Sequence, residues 1–235
     1  MNSPAMEWYR QVETTQLGMT NMLTMRNLLL HLIPVALMSL SVAQLSVATA
    51  GEKSKDVEKG FTKLFNGKDL TGWKIAENGK FEVVEGMIRV SGPRAHLFTE
   101  QEYKNFEFRA EVKTTPGSNS GIYFHTKFQE SGWPSLGHEA QVNVTHGDPV
   151  KTGSLYNVKK LFKTPAKDNE WWTQTIIVKG QRIIIKINGE TVIDYVEPKD
   201  VKGGRKLSSG SFALQAHDPK SVVFYRNIRV KTLPE

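Results

Sequence analysis

The chain contains no cysteine, so it can build no disulfide framework, thiol nucleophile or cysteine-ligated zinc site. It also lacks a Gly-x-Gly-x-x-Gly turn and a Gly-Lys-Ser phosphate cradle, which removes the usual nicotinamide and nucleotide sites. Gly-x-Ser-x-Gly, the commonest esterase elbow, is absent too. The excess of 31 Lys plus Arg over 24 Asp plus Glu gives a net charge of +7. Those cations are scattered, with no basic block interleaved with aromatics, and nucleic acid is not an expected partner. What remains is an ordinary foldable composition, 39% apolar and 23% charged, of a size for one modest domain.

The first fifty residues differ from the rest. Met25-Arg26-Asn27 is followed by an apolar run from Leu28 to Leu40 and then by small residues ending in Ala48-Thr49-Ala50. This is the three-part pattern of a secretory signal, with cleavage expected before Gly51 and translation able to start at Met25. A membrane anchor is the competing reading, but His31 and Pro34 interrupt the run and it is short for a span of about 20 apolar residues. After cleavage the chain is expected not to be an integral membrane protein, and its place is periplasmic or extracellular. Residues 51–60 read as a flexible lead-in and 61–235 as the folded domain.

That domain reads as strands. Phe106 to Lys113 alternates apolar and polar residues, and Ser120 to Phe128 follows a Thr-Pro-Gly-Ser turn. Trp172 to Lys179, Gln181 to Ile187 and Glu190 to Tyr195 are joined by Lys179-Gly180 and Asn188-Gly189, the second being the strongest short hairpin cue. Phe81–Val84, Met87–Val90, His96–Thr99, Glu139–Val144, Ser211–Ala216 and Val222–Lys231 complete the set. With no convincing amphipathic helix, the pattern predicts an all-β, two-sheet sandwich with one outer face free to curve around a ligand.

Five pieces of sequence occur in a telling order: Leu64-Phe65-Asn66-Gly67-Lys68-Asp69-Leu70-Thr71-Gly72-Trp73, Asn119-Ser120-Gly121-Ile122-Tyr123-Phe124, Thr152-Gly153-Ser154-Leu155-Tyr156, Glu170-Trp171 and Phe224-Tyr225-Arg226-Asn227-Ile228. Together, across Phe61 to Leu233, they resemble the 3-keto-disaccharide hydrolase domain family. The resemblance implies a jelly-roll β-sandwich of the concanavalin A-like lectin and glucanase type. It also implies carbohydrate breakdown outside the cytoplasm, on a ketone made by a separate sugar 3-dehydrogenase.

Strand alternation nominates the site. Glu139, Gln141 and Asn143 point one way while Ala140 and Val142 point into the sandwich. Tyr123 and His125 oppose Ile122 and Phe124 in the same manner, and Gln215 and His217 oppose Phe212, Leu214 and Ala216. Trp133 and Tyr156 are rim aromatics able to stack on a pyranose, whereas Trp73, Trp171 and Trp172 read as packing. The bland alternative is that the polar residues simply face solvent.

An ordinary glycosidase needs two carboxyl groups flanking the bond. Where laminarinase-like jelly-rolls carry Glu-x-Asp-x-x-Glu, this chain has Glu139-x-Gln141-x-x-Val144, so the second carboxylate is missing from the strand. A 3-keto sugar avoids that need, because the ketone acidifies the proton on carbon 2 and the glycosidic oxygen can leave by elimination, with water adding afterwards. The route takes a base, a proton donor and a partner for the enolate oxygen. Glu139 and His217 are the base and acid candidates in either order. His125, Gln141 and Tyr156 would orient the sugar or steady the enolate, and Tyr123, Asn143, Gln215 and Trp133 complete the binding set.

The chain departs from the family pattern in places. Leu214-Gln215-Ala216-His217-Asp218 stands where the family more often has Leu-Gln-Asp-His-Gly, so the carboxylate beside His217 is displaced. His138 replaces a common aromatic, and His125 a common Arg. No cofactor is expected. His125, His138, Glu139, His146, Asp148 and His217 are scattered metal donors without zinc-protease spacing, which leaves a catalytic ion or a structural calcium open. The readings rank as keto-sugar hydrolase, then non-catalytic carbohydrate-binding module, then glucanase-like glycosidase.

Overall fold

The computed structural model describes residues 58–235. The expected signal segment, residues 1–50, and most of the lead-in lie outside the described residues. Thirteen strands and no helix are found among the described residues.

All strands pair antiparallel in two sheets. One runs β11(Glu190–Val196)-β10(Arg182–Ile187)-β9(Trp172–Lys179)-β6(Phe106–Thr114)-β13(Val223–Thr232)-β4(Met87–Ser91)-β3(Lys80–Val84), with β1(Thr62–Lys63) also on β13. The other, which carries the pocket described below, runs β2(Trp73–Ala76)-β5(Ala95–Thr99)-β12(Ser211–Ala216)-β7(Asn119–Thr126)-β8(His138–Asn143). The all-β, two-sheet sandwich expected from strand periodicity, and the jelly-roll that the resemblance implies, are the fold observed. Two strands escaped the sequence reading: β1 is only two residues long, and β2 gives a four-residue pattern too short to carry periodicity.

The core forms where the alternation puts it. Phe106, Phe108, Ala110 and Val112 of β6 face inward, meeting Ile122, Phe124, Ala140, Val142, Phe212 and Leu214 from the other sheet. The Phe212 ring centre lies 4.7 Å from that of Phe106 and 4.6 Å from that of Phe108, so aromatic packing clamps the two sheets together. Asn188 and Gly189 both have positive φ, the backbone that a two-residue hairpin turn demands.

Strands β7, β8 and β12 are buried on both faces. On the side away from the core a second small cluster forms from Ala76, Phe98, Tyr123 and Ala213 with Phe128 packed on it. The outer face of the five-stranded sheet is therefore roofed by loops, and polar side chains on it are held in a partly dry environment.

The long first motif, Leu64 to Trp73, is a turn. Asn66 Oδ1 accepts from the Lys68 and Asp69 amides at 2.7 and 3.0 Å, Asp69 Oδ1 accepts from the Thr71 amide at 3.0 Å, and Trp73 Nε1 donates to the Leu64 carbonyl at 2.6 Å. Thr152 to Tyr156 runs beside β8, with Gln141 N donating to Ser154 O and Tyr156 N to Glu139 O at 3.0 and 2.9 Å. These motifs carry the fold and, in the second case, buttress the strand that bears Glu139.

Candidate active site

A pocket of about 330 Å³ opens on the outer face of the five-stranded sheet. Its floor is made by alternating residues of three neighbouring strands: Asn119 and Tyr123 from β7, Glu139 and Gln141 from β8, and Gln215 from β12, with His217 just past the end of β12. Loops supply the walls. Trp133 comes from the β7–β8 connection, Asp148, Tyr156 and Asn157 from the β8–β9 connection, and Arg205 from the β11–β12 connection.

Glu139 sits at the centre and is only 3% exposed. Its side chain lies over Gly121 of the adjacent strand, where any Cβ would overlap it; the absence of a side chain there makes room for the carboxyl. Burial pushes the Glu139 carboxyl up to about 7, against the opposing pull of the Tyr123 hydroxyl, the Arg205 charge and Gln215. Gln215 Nε2 donates to Glu139 Oε1 at 3.2 Å and to the Tyr123 hydroxyl oxygen at 2.9 Å, leaving the Tyr123 O–H to donate to the carboxylate. The Arg205 guanidinium lies 5.6 Å from the Tyr123 ring centre.

Three residues of the lining carry buried polar atoms with no partner: Asn119 Oδ1, Gln215 Oε1 and Arg205 Nη1. Two orphaned acceptors and one orphaned cationic donor cost stability unless a ligand satisfies them. Hydroxyl hydrogens fit the first two, and a carbonyl or enolate oxygen fits the third.

His217 is not deprived of its carboxylate. The residue that follows it, Asp218, bonds its Nδ1 at 2.9 Å, so the displaced carboxylate still supports the imidazole. Chain geometry explains this: β12 ends at Ala216, so His217 and Asp218 are free of strand alternation and turn toward one another. Burial raises the Asp218 carboxyl, but hydrogen bonds from Ser221, His217 and Lys220 outweigh it and hold Asp218 below the usual carboxylate range. The His217 ring packs against Trp133, with centroids 5.5 Å apart, and against His146 at 5.3 Å. Trp133 itself is 43% exposed, a large aromatic face at the rim.

Two nominated residues are elsewhere. His125 does not reach the pocket. Pairing of β7 with β12 shifts register between Ser211 and Ala213, and His125 takes a positive φ of 56°, so a bulge breaks the alternation and turns the imidazole toward Phe106. Asn143 is on the expected strand but not on the pocket wall; its Nδ2 donates to the Asp148 and Val150 carbonyls at 2.9 and 2.8 Å and holds that loop in place. In return the structure brings in Asn119, Asp148, Asn157 and Arg205. Asn119 was legible, since it is four residues before Tyr123 on the same strand face. The other three arrive on loops whose sequence carries no period.

Asp148 places a second carboxylate on the wall, and its charge helps to raise Glu139. The pair that the strand sequence lacked is thus supplied in part by a loop.

Among the described residues one group could hold a metal ion, His146, His217 and Asp218, whose donor atoms lie within 4.8 Å of one another. His125 and His138 are not part of it. Two imidazoles are foreign to the all-oxygen shell that calcium takes. Nor does the group fit a zinc-class ion as built. His146 Nδ1 accepts from the Asp148 amide at 3.0 Å, so its proton sits on Nε2, the nitrogen facing Asp218 at 3.8 Å. Asp218 Oδ2 already takes His217 Nδ1 and the Ser221 hydroxyl at 2.9 and 2.6 Å. Asp218 and His217 form a hydrogen-bonded pair, with His146 beside it at a distance too long for a hydrogen bond.

Comparison with known proteins gives the following. Residues 60–231 match the family described as the 3-keto-alpha-glucoside-1,2-lyase-like domain. A 3-keto-disaccharide hydrolase of Bacteroides thetaiotaomicron is 25% identical over 228 residues, covering 74% of this chain and 79% of that protein. The crystal structure of a candidate glycosyl hydrolase from Parabacteroides distasonis superimposes with a TM-score of 0.65 at 25% identity, over 74% of this chain and 94% of that one. Carbohydrate-binding module CBM66 of Bacillus subtilis shares the fold, with a TM-score of 0.53 at 17% identity over 69% and 96% of the two chains.

Proposed function

Because the chain belongs to the 3-keto-alpha-glucoside-1,2-lyase-like domain family, we propose that it cleaves the glycosidic bond of 3-keto-glycosides and 3-keto-disaccharides by elimination followed by hydration. The observation that carries this reading is Glu139, a buried carboxyl with proton affinity near neutrality, set beside the unpartnered Arg205 donor.

Glu139 takes the proton from carbon 2 of the sugar. The electron pair moves into the carbon 3 carbonyl, and the enolate oxygen is met by Arg205 with Tyr123 alongside. The carbonyl then re-forms, a carbon 1–carbon 2 double bond closes, and the bond from carbon 1 to the glycosidic oxygen breaks. His217, steadied by Asp218, gives the leaving oxygen its proton. Water adds to carbon 1 of the enone and a proton returns to carbon 2, so the sum is hydrolysis. Asn119, Gln141 and Gln215 orient the ring through its hydroxyls, and Trp133 and Tyr156 offer aromatic faces for it to stack on. The family description, with its 1,2-lyase, and the hydrolase name of the Bacteroides relative support the first step and the sum respectively.

The ketone has to come from an upstream sugar 3-dehydrogenase, since no dinucleotide loop is present. Export is inferred from the signal-like segment ending at Ala50; N-terminal sequencing of the purified native protein, finding Gly51 or an uncut start, tests it.

Two other readings rest on specific observations. The orphaned acceptors Asn119 Oδ1 and Gln215 Oε1 suit a domain that only holds sugar, as does the fold shared with a carbohydrate-binding module. Asp148 beside Glu139 suits a conventional glycosidase acting on unoxidised sugar. Incubating the protein with methyl 3-keto-glucoside and methyl glucoside, followed by NMR, separates all three. Turnover of the keto-sugar alone, abolished in Glu139→Gln and retained in Asp148→Asn, is the expected result. Turnover of the unoxidised glucoside, or binding without turnover, contradicts it.

A further inference from the structure

The segment that carries Arg205 is fastened on both sides by buried groups that the reaction does not use. Glu197 directly follows the last residue of β11, and its backbone amide donates to Gln181 O at 2.8 Å, so it belongs to the larger sheet. Its side chain crosses to the other sheet. Oε2 meets His138 Nε2 of β8 at 2.7 Å, and Oε1 accepts the Leu207 amide at 2.7 Å, two residues beyond Arg205. One residue further, the Ser208 amide donates to His125 Nδ1 at 3.1 Å, while His125 Nε2 donates to Lys104 O at 2.8 Å. Both bonds need one tautomer of a neutral ring, and burial, which pushes His125 down to about 4, keeps it neutral.

The other flank is closed by backbone. Gly137 N donates to Gly204 O at 2.9 Å. A side chain at Gly204 would overlap the Ser135 carbonyl, and one at Gly137 would overlap the Phe124 carbonyl. Arg205 thus stands between two fixed points, Gly204 on one side and Leu207 with Ser208 on the other. Its Nη1 is left buried and unbonded on the pocket. Fixing the backbone on both sides of Arg205 limits where its long side chain can reach, so less is left to order when substrate arrives.

We propose that Glu197, with His138 and His125, is a positioning residue that fixes Arg205 over Tyr123 so that the guanidinium is in place for the developing enolate. The inference rests on the proposed elimination for its chemical consequence, but the fastening itself is independent of it. It also gives His125 and His138, neither of which lines the pocket, a shared purpose away from the sugar.

Two measurements test it. In the protein labelled at arginine, the Arg205 side-chain signals should be displaced by the Tyr123 ring current. Glu197→Gln, which leaves one acceptor where two are needed, and His138→Phe, which keeps the bulk, should both collapse that displacement and speed exchange of the Leu207 and Ser208 amides, with core amides of β6 unchanged. Kinetically, Glu197→Gln and Arg205→Ala should each lower kcat on a 3-keto-glucoside at least about tenfold, and the double variant should be no worse than Arg205→Ala alone. Arg205 signals and loop exchange that stay as in the wild type in both single variants overturn the fastening. Multiplying kinetic losses overturn the route through Arg205. A protein that turns over no keto-sugar, yet shows the NMR changes, refutes the proposed reaction and leaves the fastening standing.

Discussion

Glu139 occupies the space that a side chain at Gly121 would fill: a Cβ built on Gly121 would stand 2.9 Å from Glu139 Cδ and Cγ and closer still to Oε1. Gly121 has no positive φ to demand glycine, so its value lies in the close approach of the neighbouring strand's carboxyl. Gly121→Ala should therefore fold with near-normal secondary structure while kcat falls about a hundredfold, the scale of a misplaced catalytic group. Circular dichroism with steady-state kinetics checks this, and an active Gly121→Ala protein would remove Glu139 from the reaction.

The pH dependence of turnover should report the same carboxyl. As the base, Glu139 must be ionised, so kcat/KM should fall about tenfold per unit below a limb near pH 7. The Tyr123 hydroxyl lowers the Glu139 proton affinity. Tyr123→Phe should accordingly move the limb to higher pH, and a shift to lower pH would contradict the hydrogen-bond assignment.

Stability should respond to pH in opposed directions. His96 and His125 are pushed by burial from 6.5 to about 4, so the unfolded chain binds their protons first, and stability rises with pH between about 4 and 6.5. Glu139 is raised from 4.5 to about 7, so the native state holds its proton, and that contribution is lost as pH rises from 4.5 through 7. Each proton is worth about 1.4 kcal/mol per pH unit. In Glu139→Gln the opposing contribution disappears, and the rise of unfolding free energy between pH 4.5 and 6.5 should steepen by about that amount. Denaturant melts across the range measure it; parallel curves for the two proteins would show that Glu139 titrates normally.

The Asp218–His217 pair, with His146 beside it, makes a prediction about metal. Because Asp218 Oδ2 already accepts from His217 and Ser221, and His146 Nδ1 accepts from the Asp148 amide, chelation should leave turnover unchanged. His146→Gln should cost only a few-fold, as expected for a half-buried partner at 3.8 Å. Activity lost on chelation and restored by zinc would replace the Asp218–His217 pair with a metal centre and take the acid role from His217.

Much of the site could be read from the sequence, for a physical reason. Side chains on a strand alternate with period two, and β7, β8 and β12 are neighbours in one sheet. Choosing the polar phase of each brought Tyr123, Glu139, Gln141 and Gln215 to one pocket, and His217 joins them from just past the end of β12. The same rule failed at His125, where one bulged residue reverses the phase, and a bulge is set by the partner strand's register, which no single sequence states. Arg205 was invisible because its place depends on Glu197, His138 and a glycine contact between two loops. Of the motifs carrying the family resemblance, Leu64 to Trp73 proved to be a turn and Thr152 to Tyr156 the brace of β8, so those residues identify the fold while most of the pocket lies between them.

The most direct test of the elimination is to run the reaction with a 3-keto-glucoside in deuterium oxide and examine carbon 2 of the released 3-keto-sugar at early times, beside an enzyme-free control of that sugar. Proton removal by Glu139 and return from solvent predict deuterium at carbon 2, formed in the wild type and absent with Glu139→Gln because no product is released. Product carrying its original hydrogen at carbon 2 would mean that the glycosidic bond breaks without elimination.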